Sequence, residues 1–372
     1  MNLEPIVSAN TRFGFKLFAQ LAREDAGKNL FISPASVSLA LTLVYNGASG
    51  RTEAALARTL ELEGMGLDEV NQASGALMKA LQRTDPQVRL AIANALWAAK
   101  AVPFKPAFTR DLQDAYDAKI AEVDFSDPTT LVLINDWVKK QTEGKIKSIL
   151  SKLDPLSLLV LVNAIYFKGK WTRPFDEDNT RDGPFTLLDG SRKTVQMMSQ
   201  SGSYHVCRDR GFQAVRLPYG DKRTAMTIFL PDRRSSLDAF RTRLTPDNWN
   251  VWMSRFRRME GSIVLPRFKL EYEQNLNRTL AALGMGIALG SGANFSAMCD
   301  TPAYISKVIH KTFVEVNEEG TEAAAATAVV MMKAAMMPQK TFRMVVDRPF
   351  FCAIRDDHTG ALLFMGSIVD PG

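Results

Sequence analysis

Apolar residues recur at helical spacing early in the chain and at strand spacing later. Phe15, Leu17, Phe18, Leu21 and Ala22 follow a polar start at Ser8–Thr11 and predict a first helix. Ser33-Pro34 combines a capping hydroxyl with proline in the first turn, so a second helix is expected to run to about Leu43. The Gly47-Ala48-Ser49-Gly50 cluster ends it. Arg51 to Leu60 and Leu67 to Arg83 read as two further helices, and Leu131 to Leu150 as an amphipathic one. Val88 to Ala99, bounded by Pro86 and Pro103, suits a buried strand or a short helix.

From about residue 155 the pattern changes. Leu158 to Phe167 is a continuous apolar run, as expected of a strand buried on both faces. Phe185–Leu188, Asp189-Gly190 and Ser191–Met198 spell a hairpin. Phe212–Pro218 pairs naturally with Thr224–Pro231, and Gly261–Leu270 is strand-like. Asn275–Met285 reads as a helix stopped by glycines, and Val308–Val316 and Phe350–Val369 as late strands. No long linker and no internal repeat divides the chain. The expectation is one large α+β domain over 1–372, although 372 residues alone would suggest two or three.

One segment resists this pattern. From Glu322 the chain runs Glu-Ala-Ala-Ala-Ala-Thr-Ala-Val-Val-Met-Met-Lys. Its propensity is helical, yet it has no polar stripe for a surface helix. As a strand it puts Thr321, Ala323, Ala325, Thr327, Val329 and Met331 on one face. The opposite face carries Glu322, Ala324, Ala326, Ala328, Val330 and Met332. Small side chains on both faces would let it slide between two existing strands, which marks it as a two-state element.

Composition narrows the chemistry. Forty-six basic residues against 40 acidic give +6, spread thinly over the length, so nucleic acid is not indicated. Three cysteines at wide spacing make no disulfide framework and fit a reducing compartment. Three histidines, no Gly-x-Ser-x-Gly, no His-Glu-x-x-His, no Cys-x-x-Cys and no phosphate loop leave an enzyme little to work with. No metal or cofactor is implied. The start lacks a signal-peptide pattern, so the chain as given reads as cytoplasmic, or extracellular if a leader was removed. No apolar stretch is long enough for a membrane span. Arg255, Arg257 and Arg258 form the tightest basic cluster, with Arg233-Arg234 another, and a solvated face outweighs a heparin-type site there.

Five segments carry a family resemblance: Asn29–Pro34, Ile134–Val138 with Thr142–Ile146, Leu161–Trp171, Glu318–Ala324 and Asp347–Phe351. In that order they resemble a serpin over nearly the whole length. The resemblance implies three β-sheets, about nine helices and an exposed reactive-centre loop, here about 318–343. It implies a monomeric suicide inhibitor of serine proteases, or also cysteine proteases. The protease cuts the loop and forms an acyl ester. The loop then inserts into the main sheet as a new strand before the ester can be hydrolysed. About 14 residues would extend roughly 45 Å.

The hinge of that loop falls on Glu318, Gly320, Thr321, Glu322, Ala323, Ala324, Ala325 and Ala326, a pattern shared by inhibitory members. Counting from Gly320 puts the scissile bond at Ala334-Ala335, which suits elastase-like or subtilisin-like pockets. Lys333 (trypsin-like) and Met332, Met336 or Met337 (chymotrypsin-like) stay open, because loop lengths vary. Ser33, Ser36, Asn163 and His310 match the polar cluster that gates sheet opening; satisfied buried polar groups would look the same. Trp171 and Arg267 match the place where the loop first enters, with Arg267 pairing Glu318 as a surface ion pair. A non-inhibitory carrier or chaperone-like serpin is the alternative reading.

Overall fold

A computed structural model describes residues 2–82, 85–321 and 341–372. Among these, nine α-helices form: α1 (Glu4–Glu24), α2 (Pro34–Gly47), α3 (Arg51–Thr59), α4 (Leu67–Gln82), α5 (Pro106–Tyr116), α6 (Pro128–Gln141), α7 (Leu237–Arg241), α8 (Pro246–Ser254) and α9 (Asn277–Leu280). The early strands are β1 (Leu30–Ile32), β2 (Val88–Ala99), β3 (Lys119–Val123) and β4 (Leu159–Lys170). Then come β5 (Arg181–Thr186), β6 (Arg192–Asp209), β7 (Phe212–Tyr219), β8 (Thr224–Pro231), β9 (Arg257–Pro266) and β10 (Phe268–Asn275). The last are β11 (Ile305–Val316), β12 (Gly320–Thr321), β13 (Phe342–Val345), β14 (Phe350–Asp356) and β15 (Leu362–Ile368).

The strands form two hydrogen-bonded networks. One has six strands in the order β10-β11-β12-β4-β2-β3. The other has nine, ordered β1-β15-β14-β8-β7-β6-β9-β13 with β5 on β6. The long strand β6 joins two limbs of the larger network: its first part pairs β5, its last part pairs β7, and β9 runs along most of it. The three sheets implied by the resemblance thus appear as one separate sheet and two limbs sharing a strand.

Helix α2 is apolar on almost every side, and it is buried where it packs between β15 of the larger network and β4 and β2 of the smaller. Ser33 caps it, its hydroxyl accepting from Ser36 N at 3.3 Å. Strand β4 is buried on both faces, as its sequence predicts. Leu159, Leu161, Ile165 and Phe167 join the main core, while Val160, Val162, Ala164 and Tyr166 pack under α6 with Ile134 and Val138.

Two sequence readings need correction. Gly261–Leu270 is not one strand: the chain breaks after Pro266, so β9 lies in the larger network and β10 in the smaller. Proline cannot donate to a ladder and ends the first run. The amphipathic helix over Leu131–Leu150 stops at Gln141, where Glu143 and Gly144 take positive φ (54° and 79°). Val88–Ala99 resolves as a strand.

Candidate functional site

The six-stranded sheet has a seam at its centre. Strands β11 and β4 pair directly and in parallel from Ile305↔Leu159 to Phe313↔Tyr166. Beyond that point they part, and β12 fills the gap, antiparallel to both. Thr321 pairs Val316 on one side and Gly169 on the other, and Gly320 pairs Lys170. A turn delivers β12 to this place: Asn317 N donates to Gly320 O at 2.9 Å, and Asn317 Oδ1 accepts from Glu319 N and Gly320 N. Only glycine fits at 320, because a Cβ there would stand 2.0 Å from Gly169 O. Within the expected loop span of about 318–343, residues 318–321 are buried and Phe342 belongs to β13.

Thr321 is fully buried, its Oγ1 2.7 Å from Tyr219 OH. Burial raises the Tyr219 phenol well above its ordinary pKa, so it stays protonated. Tyr219 stacks on Trp171, ring centroids 4.3 Å apart. Trp171 in turn grips the turn: its backbone N donates to Glu319 O at 2.8 Å and its Nε1 to Asn317 O at 2.9 Å.

Arg267 and Glu318 do meet, but not as a surface pair. Glu318 is only 2% exposed. Its Oε1 accepts from Arg267 Nε at 2.7 Å, Arg267 Nη2 at 2.6 Å and Thr180 Oγ1 at 2.5 Å. Thr180 gave no signal in the sequence. A cleft of about 420 Å³ opens beside the pair, lined by Arg267, Glu315 and Asn317–Glu319 among others.

The four gating candidates come together under the seam. Ser33 N donates to His310 Nε2 at 3.1 Å, which leaves the imidazole proton on Nδ1, 2.5 Å from the accepting Asn163 Oδ1. Asn163 Nδ2 donates to Ser36 Oγ, to Ser36 O and to Asn94 Oδ1. Burial lowers the His310 pKa to about 3, so the ring is neutral. His310 and Asn163 are register partners across the β11–β4 seam, and Asn163 and Asn94 across β4–β2. Asn94 was missed in the sequence. An amide inside the apolar run Val88–Ala99 was the available signal. Beside the cluster, Thr312 Oγ1 donates to Phe31 O at 2.6 Å, a second tie from β11 toward β1.

The remaining hinge residues Glu322 and Ala323–Ala326 lie outside the described residues, as do Met332, Lys333, Ala334, Ala335, Met336 and Met337. Cys207, Cys299 and Cys352 are buried and unpaired. Among the described residues no helix is long and apolar enough to cross a membrane.

Comparison with known proteins agrees with this architecture. Residues 8–371 match the model of the serpin (serine protease inhibitor) family. Leukocyte elastase inhibitor of Sus scrofa is 37% identical over 99% of this chain and 100% of its own. Serpin B6 of Pongo abelii is 38% identical with the same coverage. The native thermophilic serpin tengpin superposes with a TM-score of 0.92 at 30% identity, over 100% of this chain and 95% of its own. Human thyroxine-binding globulin does so at 0.93 and 27%, over the whole of both chains. The chain belongs to the serpin family.

Proposed function

We propose that the protein is a suicide inhibitor of serine proteases, with cysteine proteases a secondary class, and that it acts by inserting its cleaved loop into the six-stranded sheet. The observation that carries this is β12: the hinge already occupies the top of the seam in the antiparallel sense an inserted strand needs. Continued in both registers, the sixth residue past Thr321, Thr327, comes level with Asn163 on β4 and His310 on β11. The small residues Ala323 and Ala325 would follow Thr321 on its buried face. Nothing bulky or charged would have to enter the main core before Met331.

In this reading Ser33, Ser36, Asn94, Asn163 and His310 hold the seam shut until cleavage. Gly320, Thr321, Trp171 and the Arg267–Glu318–Thr180 group hold the hinge at its first two inserted residues. Ala334-Ala335 is the favoured scissile bond, and its small side chain directs the inhibitor to elastase-like or subtilisin-like enzymes. The name leukocyte elastase inhibitor borne by relatives supports that direction. The protease supplies all the bond-breaking chemistry, and the inhibitor itself catalyses nothing. The unpaired cysteines support a reducing, cytoplasmic setting.

The test is incubation with a panel of elastase-, subtilisin-, chymotrypsin- and trypsin-like enzymes. A covalent complex that survives SDS, cut at 334–335, is expected from the first two. Loop cleavage by every enzyme with full release of activity would defeat the reading and leave a carrier or chaperone-like role.

A further inference from the structure

The arginine cluster flagged in the sequence acquires a definite place in the structure. Strands β6 and β9 pair antiparallel, and their last register pair is Val206↔Arg257. The end of β6 therefore meets the start of β9, which puts Arg208 and Arg210 at the same rim of the sheet as Arg257 and Arg258, the last two on opposite faces of β9. All four are exposed. Among the described residues none of them has a carboxylate within 4 Å. Asp209, between Arg208 and Arg210, is taken by Arg243 at 3.2 Å, Arg255 at 3.8 Å and Trp252 Nε1 at 2.9 Å. Glu260, two residues along from Arg258, is the exposed acid on the same strand.

The free arginines are partly preset. Arg257 Nη1 donates to the carbonyls of Ser254 and Phe256, both at 2.9 Å. Arg258 Nε donates to Ser203 Oγ at 2.6 Å, and Arg208 stands 6.0 Å over the Phe342 ring. Arg257 and Arg258 spend one or two donors on the protein and keep the rest of their guanidinium forks for a partner.

Their position relative to the loop gives them a use. Strand β13 begins at Phe342 and runs parallel to β9, with Phe342 opposite Gly261. Arg257 and Arg258 lie three to four residues before Gly261. That is roughly 10–13 Å past Phe342, at the end of the sheet from which the chain comes into β13. A protease held on the segment before Phe342 would rest beside them.

We infer that Arg208, Arg210, Arg257 and Arg258 form a docking surface for an acidic patch on the target protease, on the carboxyl-terminal side of the scissile bond. Charges at this exposed rim raise the association rate by steering and leave the later insertion step alone. This inference rests on the protease-inhibitor reading above.

One protease in two charge forms tests it: a subtilisin trapped by the wild type, used native and with its surface lysines succinylated. Association rates are measured at about 20 and 150 mM salt. The wild type is expected to react several-fold faster, up to about tenfold, with the succinylated form at low salt, and the gap should shrink at 150 mM. In a variant carrying R208E, R210E, R257E and R258E the gap should vanish or reverse at unchanged stoichiometry. The four-glutamine variant should fall between, and serves if the reversed protein folds poorly. A control with K139E, K140E, K147E and K152E makes the same change in net charge elsewhere and should keep the gap. A gap that survives in the arginine variants, or is lost equally in the lysine control, overturns the inference. Heparin retention abolished by R208E, R210E, R257E and R258E, with no gap between protease forms, overturns it in favour of a polyanion. If no SDS-stable complex forms with either subtilisin, or with any enzyme of the panel, it is the inhibitor reading that fails.

Discussion

His310 illustrates how much one side chain decides. Its ring is buried, neutral and fixed in one tautomer by Ser33 N and Asn163 Oδ1. It takes up a proton near pH 3 when folded and near 6.5 in an ordinary environment. As pH falls, the unfolded chain binds this proton first. Stability due to His310 is therefore complete above about pH 6.5 and declines toward pH 3, by up to ~1.4 kcal/mol per pH unit. Comparing wild type with His310→Gln by urea unfolding from pH 7.5 to 5 should show the wild type losing the extra increment below pH 6.5. Parallel pH dependences would argue against a neutral buried ring. Asn163→Ala strips the His310 Nδ1 proton and Asn94 Oδ1 of a partner, and should cost about 2–4 kcal/mol, read as a lower thermal midpoint. Ser33 and Asn163 were legible because they sit in segments resembling the family, and Ser36 and His310 because the same resemblance implies them. Asn94 and Thr180 were not, since each gains its role only from strand pairing or from a partner far along the chain, as Thr180 does from Glu318.

At the scale of elements, the seam and its two-residue strand matter most. Arg267→Ala leaves Glu318 buried with Thr180 as its one side-chain partner. An uncompensated buried carboxylate is costly, about 3 kcal/mol or more, so the turn at Asn317–Gly320 should loosen. The expected outcome is faster spontaneous loss of inhibitory activity on warming, followed as residual complex formation over time. Thr321→Arg would force a charge into the contact with Tyr219, expel β12 and turn the protein into a substrate. Its stoichiometry of inhibition should rise several-fold; an unchanged value would place the inserted face wrongly. Helices and strands with strong periodicity were legible, down to the Ser33-Pro34 start of α2. The split between β9 and β10 was not, although Pro266 marked it, because both halves share one apolar pattern while lying in different networks. The insertion of β12 had no signature of its own: two residues carry no period.

Across the whole molecule, the main core draws on residues from Ile6 to Val369, and α2 is packed against both networks. We infer a single cooperative unit, which calorimetry should register as one transition in the uncleaved protein. After cleavage at 334–335 the inserted segment would add a central strand with ladders on both sides, so the midpoint should rise by tens of degrees. A rise of only a few degrees would mean the loop stays out. Fold class was legible from the helix-rich first half and strand-rich second half. The sharing of β6 between two limbs was not, because an 18-residue strand shows no sign of where its partners change.

Two buried residues, Gly320 and Thr321, also bear on speed. In an intact sheet, opening would have to nucleate by breaking the first β11–β4 bonds with nothing to replace them. Here the two strands already diverge beyond Phe313 and Tyr166, and β12 sits in the fork. Each further step exchanges strand–strand bonds for strand–loop bonds, so insertion begins as propagation. In the proposed mechanism the race against hydrolysis of the acyl ester would then start with nucleation of the new strand already complete.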